Sequence, residues 1–401
     1  MKNCIKYTLF LILSAFVYSC GNDEDPVLPP EPEPTADPAV RLSLTSAFSV
    51  NRYDVVQVEP EVTIIGDEGF STVYQWSIKA NGQDSVIGDQ KRLQFISPRT
   101  GEYTVDLKVT CGNTTEKATT KVTVNANGKT YLKRATKAID YLPAPYNMYY
   151  LFQYAGVESR DDFPKYAQEQ WDGQSFLELG SFGGYLTLQF DHTVINTFGK
   201  RDFSLEVGGG PVVIQVAYDA NKNGIADENE WYEIAGSEYY KSTTVKDYEM
   251  TYIRPDVNKE PVPGKYNWQT DTEFMKWTDN KGGSGYITRT EFAYPEDYYP
   301  EWFKDSETFK GTKVYLPVKD ISDGEGTKWN TGTFEWGYGG SKDANIDISW
   351  AVDKQGNKVH LPGIDFVRLY NPVFCALGEK DLLVPKISNV EDLNLVSSDK
   401  N

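Results

Sequence analysis

Side chains that carry oxygen recur through the segment from Asp219 to Glu230, DANKNGIADENE. The segment matches the calcium-loop pattern D-x-[DN]-x-[DN]-G-x5-E at every position. The candidate ligands are the side chains of Asp219, Asn221, Asn223, Asp227 and Glu230 and the backbone carbonyl of Ile225. Hard oxygen ligands of mixed charge suit Ca²⁺ better than Mg²⁺ or zinc, and Gly224 permits the sharp turn that aims them inward. The sequence therefore predicts a Ca²⁺ site.

The segments on either side of this loop have strand patterns, VVIQVAY before it and WYEI after it. An EF-hand would place the same loop between two helices, and the movement of those helices makes calcium a signal. We therefore expect a loop between two strands in which calcium stabilises the fold. The alternative is an acidic hairpin that binds no ion.

Aromatic residues in Gly- and Asp-rich loops form a second group with potential chemistry. A Trp or Tyr ring offers a flat apolar face and a polar tip, which suits a sugar ring or a large ligand such as a corrin. The candidates are Trp277 in KWTDNKGGSG, Trp302 in YYPEWF, and Trp336 and Tyr338 in EWGYGG. The alternative is that these rings pack within the core.

Paired carboxylates would be needed for glycoside hydrolysis. Acids that could serve are Asp279, Glu301, Glu335, Asp343 and Asp347. A chain with 58 acidic residues always offers such pairs, and no nucleophile-elbow, zinc-protease, P-loop or dinucleotide motif occurs. We therefore expect a protein without catalytic residues, and a hydrolase is the less favoured alternative.

The N-terminal residues predict a lipid anchor. Residues 1–19 have two lysines followed by the apolar run YTLFLILSAFV, as in a secretory signal peptide, and VYSC ends at Cys20. VYSC resembles the lipobox of bacterial lipoproteins, in which the cysteine is acylated, although a signal peptide with an unrelated cysteine is the alternative. Residues 20–38 are acidic and Pro-rich, which predicts a semi-rigid linker. The predicted location is the outer membrane at the cell surface.

Net charge and cysteine content narrow the choice of partners. A formal charge of −18 repels nucleic acid, so we expect no DNA or RNA partner. Beyond the signal and Cys20, only Cys111 and Cys375 remain, and whether they pair is left open.

Two domains are expected to follow the linker. Residues 39–127 read as short alternating strands, and YQW around Trp76 followed by GEYTVDLKV around Tyr103 resembles PKD-like domains of the immunoglobulin type. Residues 128–401 contain many β-type runs, such as YLTLQFDHTVI and IDFVRLYNPV, and predict a larger jelly-roll-like β-sandwich. A short helix is predicted around Tyr131 to Tyr141. The predicted fold class is all-β.

Three motifs of the second domain are LELGSFGGYLTLQFDHTVIN, PVVIQVAYDANKNGIADENEWYEIAGSEYY and IDISWAVDKQGNKVHLPGIDFVRLY. With the PKD-like module, they resemble the cell surface lipoproteins of Bacteroidota. That resemblance implies a β-sandwich at the cell surface and a partnership with TonB-dependent uptake systems, including those for corrinoids.

Together these patterns predict a lipid-anchored, calcium-stabilised binding protein of the cell surface. It would capture a glycan or another nutrient, with a corrinoid as one version, for a TonB-dependent transporter of the outer membrane. The alternative from a different class is a structural or adhesive surface protein without a small-molecule ligand.

Overall fold

The computed structural model describes residues 37–80, 83–146, 154, 156–291, 293–378 and 382–399. The predicted signal peptide, Cys20 and most of the predicted linker lie outside these residues. Within them, no helix is long and apolar enough to cross a membrane. Strands make up 46% of the structure and helices 7%, so the all-β prediction is confirmed.

The N-terminal unit is built around a five-stranded sheet with the order β2-β9-β8-β5-β6, flanked by the pairs β1-β4 and β3-β7. Its strands are β1 (Ala39–Ser43), β2 (Ala47–Asn51), β3 (Val56–Val58), β4 (Glu61–Ile65), β5 (Thr72–Ala80), β6 (Gln83–Gly88), β7 (Leu93–Phe95), β8 (Gly101–Cys111) and β9 (Thr114–Asn125). Trp76 is buried at the centre of the core. The Tyr103 hydroxyl donates to the Arg99 carbonyl four residues upstream, a contact known from the tyrosine corner of immunoglobulin-type sandwiches.

The C-terminal unit packs a six-stranded sheet (β10-β12-β24-β14-β15-β23), two four-stranded sheets (β11-β25-β13-β22 and β18-β17-β16-β19) and the pair β20-β21. Its strands are β10 (Lys137–Leu142), β11 (Leu177–Glu178), β12 (Tyr185–Ile195), β13 (Phe203–Gly208), β14 (Val213–Ala217), β15 (Trp231–Ile234), β16 (Val245–Ile253), β17 (Gln269–Asp279), β18 (Ser284–Thr290), β19 (Ser306–Lys313), β20 (Val318–Asp320), β21 (Trp329–Thr331), β22 (Asn345–Ile346), β23 (Ala351–Val352), β24 (Gly363–Tyr370) and β25 (Lys386–Asp392). One extended apolar cluster joins the three large sheets.

Strand β12, which the sequence predicts as a strand, lies between β10 and β24 in the six-stranded sheet. Leu186, Leu188 and Phe190 alternate along it and are buried. The preceding turn needs glycine, because a Cβ on Gly184 would lie 1.7 Å from the Leu179 carbonyl oxygen. The two-glycine turn therefore lets the chain pass close to its own backbone before the strand begins.

The helix predicted around Tyr131 to Tyr141 is wrong. Lys137–Leu142 forms β10, which pairs antiparallel with β12. The helix would place four apolar residues on one face: Leu132, Ala135, Ile139 and Leu142. These residues do not share a buried face, since Leu132 is exposed and Ala135 is buried. Pairing with β12 outweighs a weak helical pattern. The described α-helix is instead α1 (Phe163–Asp172), which buries Phe163, Ala167 and Trp171.

The two units meet where the C-terminal segment passes the start of the N-terminal unit. The buried Arg52 guanidinium pairs with Asp399 at 3.1 Å and donates to the Val396 carbonyl at 2.7 Å. The Tyr53 hydroxyl accepts from the Val396 N–H and donates to its carbonyl. On the far side, Lys222 lies 3.5 Å from Asp54.

His192 lies beneath this junction, and its ring centroid is 4.9 Å from that of Tyr53. Its Nδ1 is 2.7 Å from Asp191 Oδ1 and its Nε2 is 2.9 Å from Asp392 Oδ2. Burial alone would lower the pKa of the imidazole, but the hydrogen bonds to the two carboxylates outweigh it and raise the pKa. A doubly protonated ring can donate to both carboxylates, so the charged form stabilises the fold.

The pH dependence of unfolding tests the charged state of His192. Its contribution is complete below about pH 6.5, the ordinary pKa of histidine, and is lost as the pH rises through the higher folded pKa. We expect the difference in unfolding free energy between wild type and His192→Gln, measured in urea, to shrink between pH 6 and pH 9. A difference that stays constant over this range would contradict the conclusion that the charged form of His192 stabilises the fold.

Candidate functional site

The predicted calcium loop closes a β-hairpin. Strands β14 and β15 pair antiparallel up to Ala217 and Trp231, and the loop runs between these two residues. A short 3-10 turn, Glu228–Glu230, leads into β15. The predicted strand flanks are therefore confirmed, and the loop has no helix pair that could open.

The carboxylate of Asp219 organises the first half of the loop. Its Oδ1 accepts the N–H of Asn223 at 3.0 Å and its Oδ2 accepts the N–H of Gly224 at 2.7 Å. Lys222 and Gly224 both have positive φ, 59° and 76°, so the backbone bends twice around this carboxylate. The Asp219 N–H in turn donates to the half-buried Asp365, which fixes the loop to β24.

The second half of the loop turns back towards the first. The side-chain amides of Asn221 and Asn223 donate to Asp227 Oδ2 at 2.7 and 3.1 Å. Glu230 Oε1 accepts the Ala220 N–H at 3.0 Å, so the last candidate ligand reaches across to the start of the loop. Among the described residues, no three Asp, Glu, His or Cys side chains form a metal-binding group by themselves. An ion here would therefore need the asparagine oxygens and a carbonyl as well as carboxylates.

The aromatic residues that the sequence suggests as ligand-binding are spread over different parts of the C-terminal unit. Trp277 on β17 lies over Gly285 of the neighbouring strand, with its ring 5.1 Å from Phe374. Trp302 packs edge-on against Phe163 of α1 at 5.3 Å. Both rings are half-buried against the core rather than presented in one shared cleft.

Trp336 and Tyr338 have different surroundings although they are two residues apart. Trp336 is 37% exposed and lies 4.7 Å from Trp350, so it remains accessible at the surface. Tyr338 is only 1% exposed, and its ring packs against Gly236 and Phe334. A fully buried ring cannot face a ligand, so the structure assigns Tyr338 to the core and corrects its prediction as a ligand-binding residue.

Three of the candidate catalytic acids, Asp279, Asp343 and Asp347, are engaged in structural contacts. Asp279 accepts the Tyr248 hydroxyl at 2.7 Å and the Gly283 N–H at 2.6 Å; burial opposes ionisation, but these hydrogen bonds keep the pKa of Asp279 low. Asp343 and Asp347 both pair with Arg201, at 3.2 and 3.4 Å. The guanidinium of Arg201 therefore holds both carboxylates in place. These contacts favour a scaffold role over acid catalysis.

A cavity of about 1070 Å³ lies elsewhere in the C-terminal unit, between one four-stranded sheet and the β20-β21 pair. Glu178 of β11, Val207 of β13 and Lys386 of β25 line it from the sheet. Trp329 and Thr331 of β21 line it from the pair. Further apolar lining residues are Leu316, Phe334, Leu377, Leu382, Leu383 and Val384.

The most buried polar group of the cavity is the carboxylate of Glu178, which is 2% exposed. Its Oε2 accepts the hydroxyl of the buried Tyr146 at 2.5 Å, and its Oε1 pairs with the Lys386 ammonium. Lys386 is the cross-strand neighbour of Glu178 in the β11-β25 ladder. Its side chain is 39% exposed and its ammonium lies 4.6 Å from the ring centroid of Phe176.

Trp329 is, with Phe334, an aromatic residue of this cavity, and it is not among the candidates predicted from the sequence. Its indole N–H donates to the Gly326 carbonyl at 3.3 Å, so its polar edge is satisfied within the protein. The local sequence GEGTKWNTG has the same Gly-rich character as the loops of the selected candidates. That signal could have pointed to Trp329, but it does not distinguish cavity-lining rings from the others.

Comparisons with known proteins do not assign a family. No family model matches the chain, and none of the curated proteins matches it. Similar solved structures include a quinonprotein alcohol dehydrogenase-like protein from Bacteroides thetaiotaomicron (15% identity, 23% of this chain and 21% of that chain, TM-score 0.17). A second is the three N-terminal domains of the outer capsid protein Hoc of bacteriophage RB49 (12% identity, 46% of this chain and 48% of that chain, TM-score 0.17). A third is the CBM51-2 and INT domains of Clostridium perfringens ZmpB (8% identity, 87% of this chain and 48% of that chain, TM-score 0.11). The chain thus spans half or less of each of these structures, and the low TM-scores support no argument about function.

A double-mutant cycle tests the ion pair of the cavity. Lys386→Met leaves the buried Glu178 carboxylate without its cation, and we expect a loss of about 2 kcal/mol in unfolding free energy. This is below the value for fully buried pairs because Lys386 is partly exposed. In a Glu178→Gln background the same substitution should cost less than about 1 kcal/mol, since no buried charge remains. Equal costs in both backgrounds, measured by urea denaturation, would show that the pair is not coupled.

Proposed function

We propose that this chain is a lipid-anchored binding protein of the cell surface that captures a small organic nutrient in the cavity between β25 and β21. The observation that carries the proposal is the cavity itself. At about 1070 Å³ it is at the upper end of the size range of ligand sites. Its lining combines apolar side chains with one ion pair, and this composition is typical of sites that bind and orient a ligand.

The predicted anchor at Cys20 supports the same function. A lipid on this residue and an extended linker up to residue 38 would hold the folded units at the outer surface of the membrane. A nutrient captured there must still cross the outer membrane, which makes a TonB-dependent transporter the natural partner. We propose no catalytic step, because Asp279, Asp343 and Asp347 among the candidate acids are engaged in structural contacts.

The hairpin loop from Asp219 to Glu230 is proposed to hold a structural Ca²⁺ ion. The loop already gathers the predicted ligands through Asp219, Asp227 and Glu230. The side-chain amides of Asn221 and Asn223, which donate to Asp227, would turn their oxygens towards the ion. Two neutral asparagine ligands give moderate affinity, which suits the millimolar calcium outside cells. Because the loop also touches Asp54 through Lys222, it would stabilise the junction of the two units.

Removal of calcium tests the loop. A ligand that binds only the folded state stabilises it by about 1.4–2.7 kcal/mol at 10 to 100 times its dissociation constant. We therefore expect EGTA to lower the Tm of the wild type by about 3–8 °C relative to 10 mM CaCl₂. Asp219→Ala with Glu230→Ala should abolish this sensitivity.

The control for this test is Asn229→Ala, which changes an exposed residue of the same loop outside the ligand positions. It should keep the response to EGTA. Identical melting curves of the wild type with calcium and with EGTA would contradict the calcium proposal, whatever the variants do.

Filling the cavity tests the binding function. Thr331→Trp places a large ring in the cavity, whereas Asn330→Trp adds the same ring to the exposed face of the same strand. We expect Thr331→Trp to weaken ligand binding at least tenfold in equilibrium titrations, and Asn330→Trp to leave it unchanged. The ligands to titrate are cyanocobalamin, oligosaccharides and small amphiphiles.

Two results would contradict binding in this cavity. One is the absence of binding by every class of ligand to the folded wild type. The other is equal binding by the two tryptophan variants. Either result would favour the structural or adhesive alternative.

A further inference from the structure

The side chains of the cavity comprise an apolar part, a charged part and three threonines, Thr327, Thr331 and Thr333. Ten of its lining residues are apolar, among them Trp329, Phe334 and Leu383. Aliphatic walls of this kind gain free energy by covering apolar ligand surface. A bare sugar covered by these walls would have hydroxyl groups without hydrogen-bond partners there, and such burial is unfavourable. The walls therefore favour a ligand with an extended apolar body.

The charged part of the lining consists of Lys386, Lys328 and Glu178. Both oxygens of Glu178 are already engaged, one by Tyr146 and one by Lys386. The ammonium of Lys386 has three N–H donors, of which the bond to Glu178 uses one. Its side chain is 39% exposed, so donors remain for a ligand.

The charge of the cavity lining favours a ligand of the opposite charge. Two lysines against one glutamate make the lining positive, while the whole chain carries −18. A cationic ligand would be attracted to almost any other part of the surface but not to this cavity. An acceptor group, above all a carboxylate, completes the hydrogen bonding of Lys386 through a charge-assisted bond.

We propose that the ligand of this cavity is an amphipathic organic carboxylate, which binds with its apolar body against Trp329 and Phe334 and its carboxylate on Lys386. This inference rests on the proposed binding function and specifies the ligand class. Lys386 determines specificity, and the buried Glu178 positions its ammonium. Trp329 supplies apolar contact area, since its N–H is already bonded to Gly326.

The test uses a matched pair of fluorescent probes, 1-pyrenebutanoate and 1-pyrenebutanol, which differ in the charge of one end. Binding is followed by fluorescence anisotropy with the chain from residue 20 to 401 carrying Cys20→Ser, a segment that contains every described residue. We expect the carboxylate to bind at least tenfold more tightly than the alcohol. Lys386→Gln should remove this preference by weakening the carboxylate at least tenfold more than the alcohol, whereas Trp329→Ala should weaken both probes about tenfold.

Matched controls separate these effects from general changes of the surface. Lys319→Gln removes an exposed lysine of β20 that does not line the cavity, and Trp336→Ala removes an exposed tryptophan outside it. Both variants should bind the two probes as the wild type does. Lys386→Gln could lower the Tm because Glu178 loses its cation. Two further variants then separate the loss of stability from the loss of the carboxylate preference. Lys386→Arg should keep the preference for the carboxylate, and Glu178→Gln with Lys386→Gln should lack it.

The outcomes distinguish this inference from the binding function itself. Equal affinity for the two probes, or a preference that survives Lys386→Gln, would overturn the carboxylate while leaving the cavity as a binding site. A third outcome is that maltoheptaose binds, that Thr331→Trp blocks this binding, and that neither pyrene probe binds. The ligand class would then be a glycan rather than an amphipathic carboxylate. No binding of any compound at a site sensitive to Thr331→Trp would overturn both proposals.

Discussion

The position of strand β25 is the constraint on which both the cavity and the junction of the two units depend. This strand lies between β11 and β13 in its sheet and buries Ile387 and Val390. Its first residue, Lys386, faces the cavity, and its last, Asp392, binds His192 beneath the junction. A strand of this length spans about 20 Å. One ladder of backbone hydrogen bonds therefore fixes the polar group of the cavity and the contact surface of the N-terminal unit relative to each other.

The chain carries more acidic than basic residues, and some of its buried carboxylates are paired with cationic side chains. Two buried carboxylates have cationic partners: Glu178 has Lys386, and also accepts from Tyr146, and Asp392 has His192. Such compensation is necessary because an unpaired buried charge is strongly destabilising. Its consequence is that lysine donors are held at fixed places within an acidic protein. The cavity is one such place, and this explains why its chemistry differs from that of the surrounding surface.

The sequence predicts most of the architecture because strands and tight turns depend on local patterns. The strand YLTLQFDHTVI, which forms β12, and the hairpin around Asp219 to Glu230 are found as expected. The helix predicted around Tyr131 to Tyr141 is wrong because its pattern is short and β12 is available as a strand partner. Tyr338 fails for a related reason, since a Gly-rich sequence does not reveal whether its aromatic ring turns inward. The cavity itself could not be predicted, because β11, β21 and β25 are far apart in the chain and only the folded topology brings Glu178, Trp329 and Lys386 together.

The central claim is that the cavity between β21 and β25 holds an amphipathic ligand by its carboxylate, and a crystal structure with bound 1-pyrenebutanoate tests it most directly. The account predicts that the pyrene ring lies against Trp329 and that a carboxylate oxygen lies within about 3 Å of Lys386 Nζ. A probe bound outside the cavity, or inside it with its carboxylate turned away from Lys386, would contradict the account.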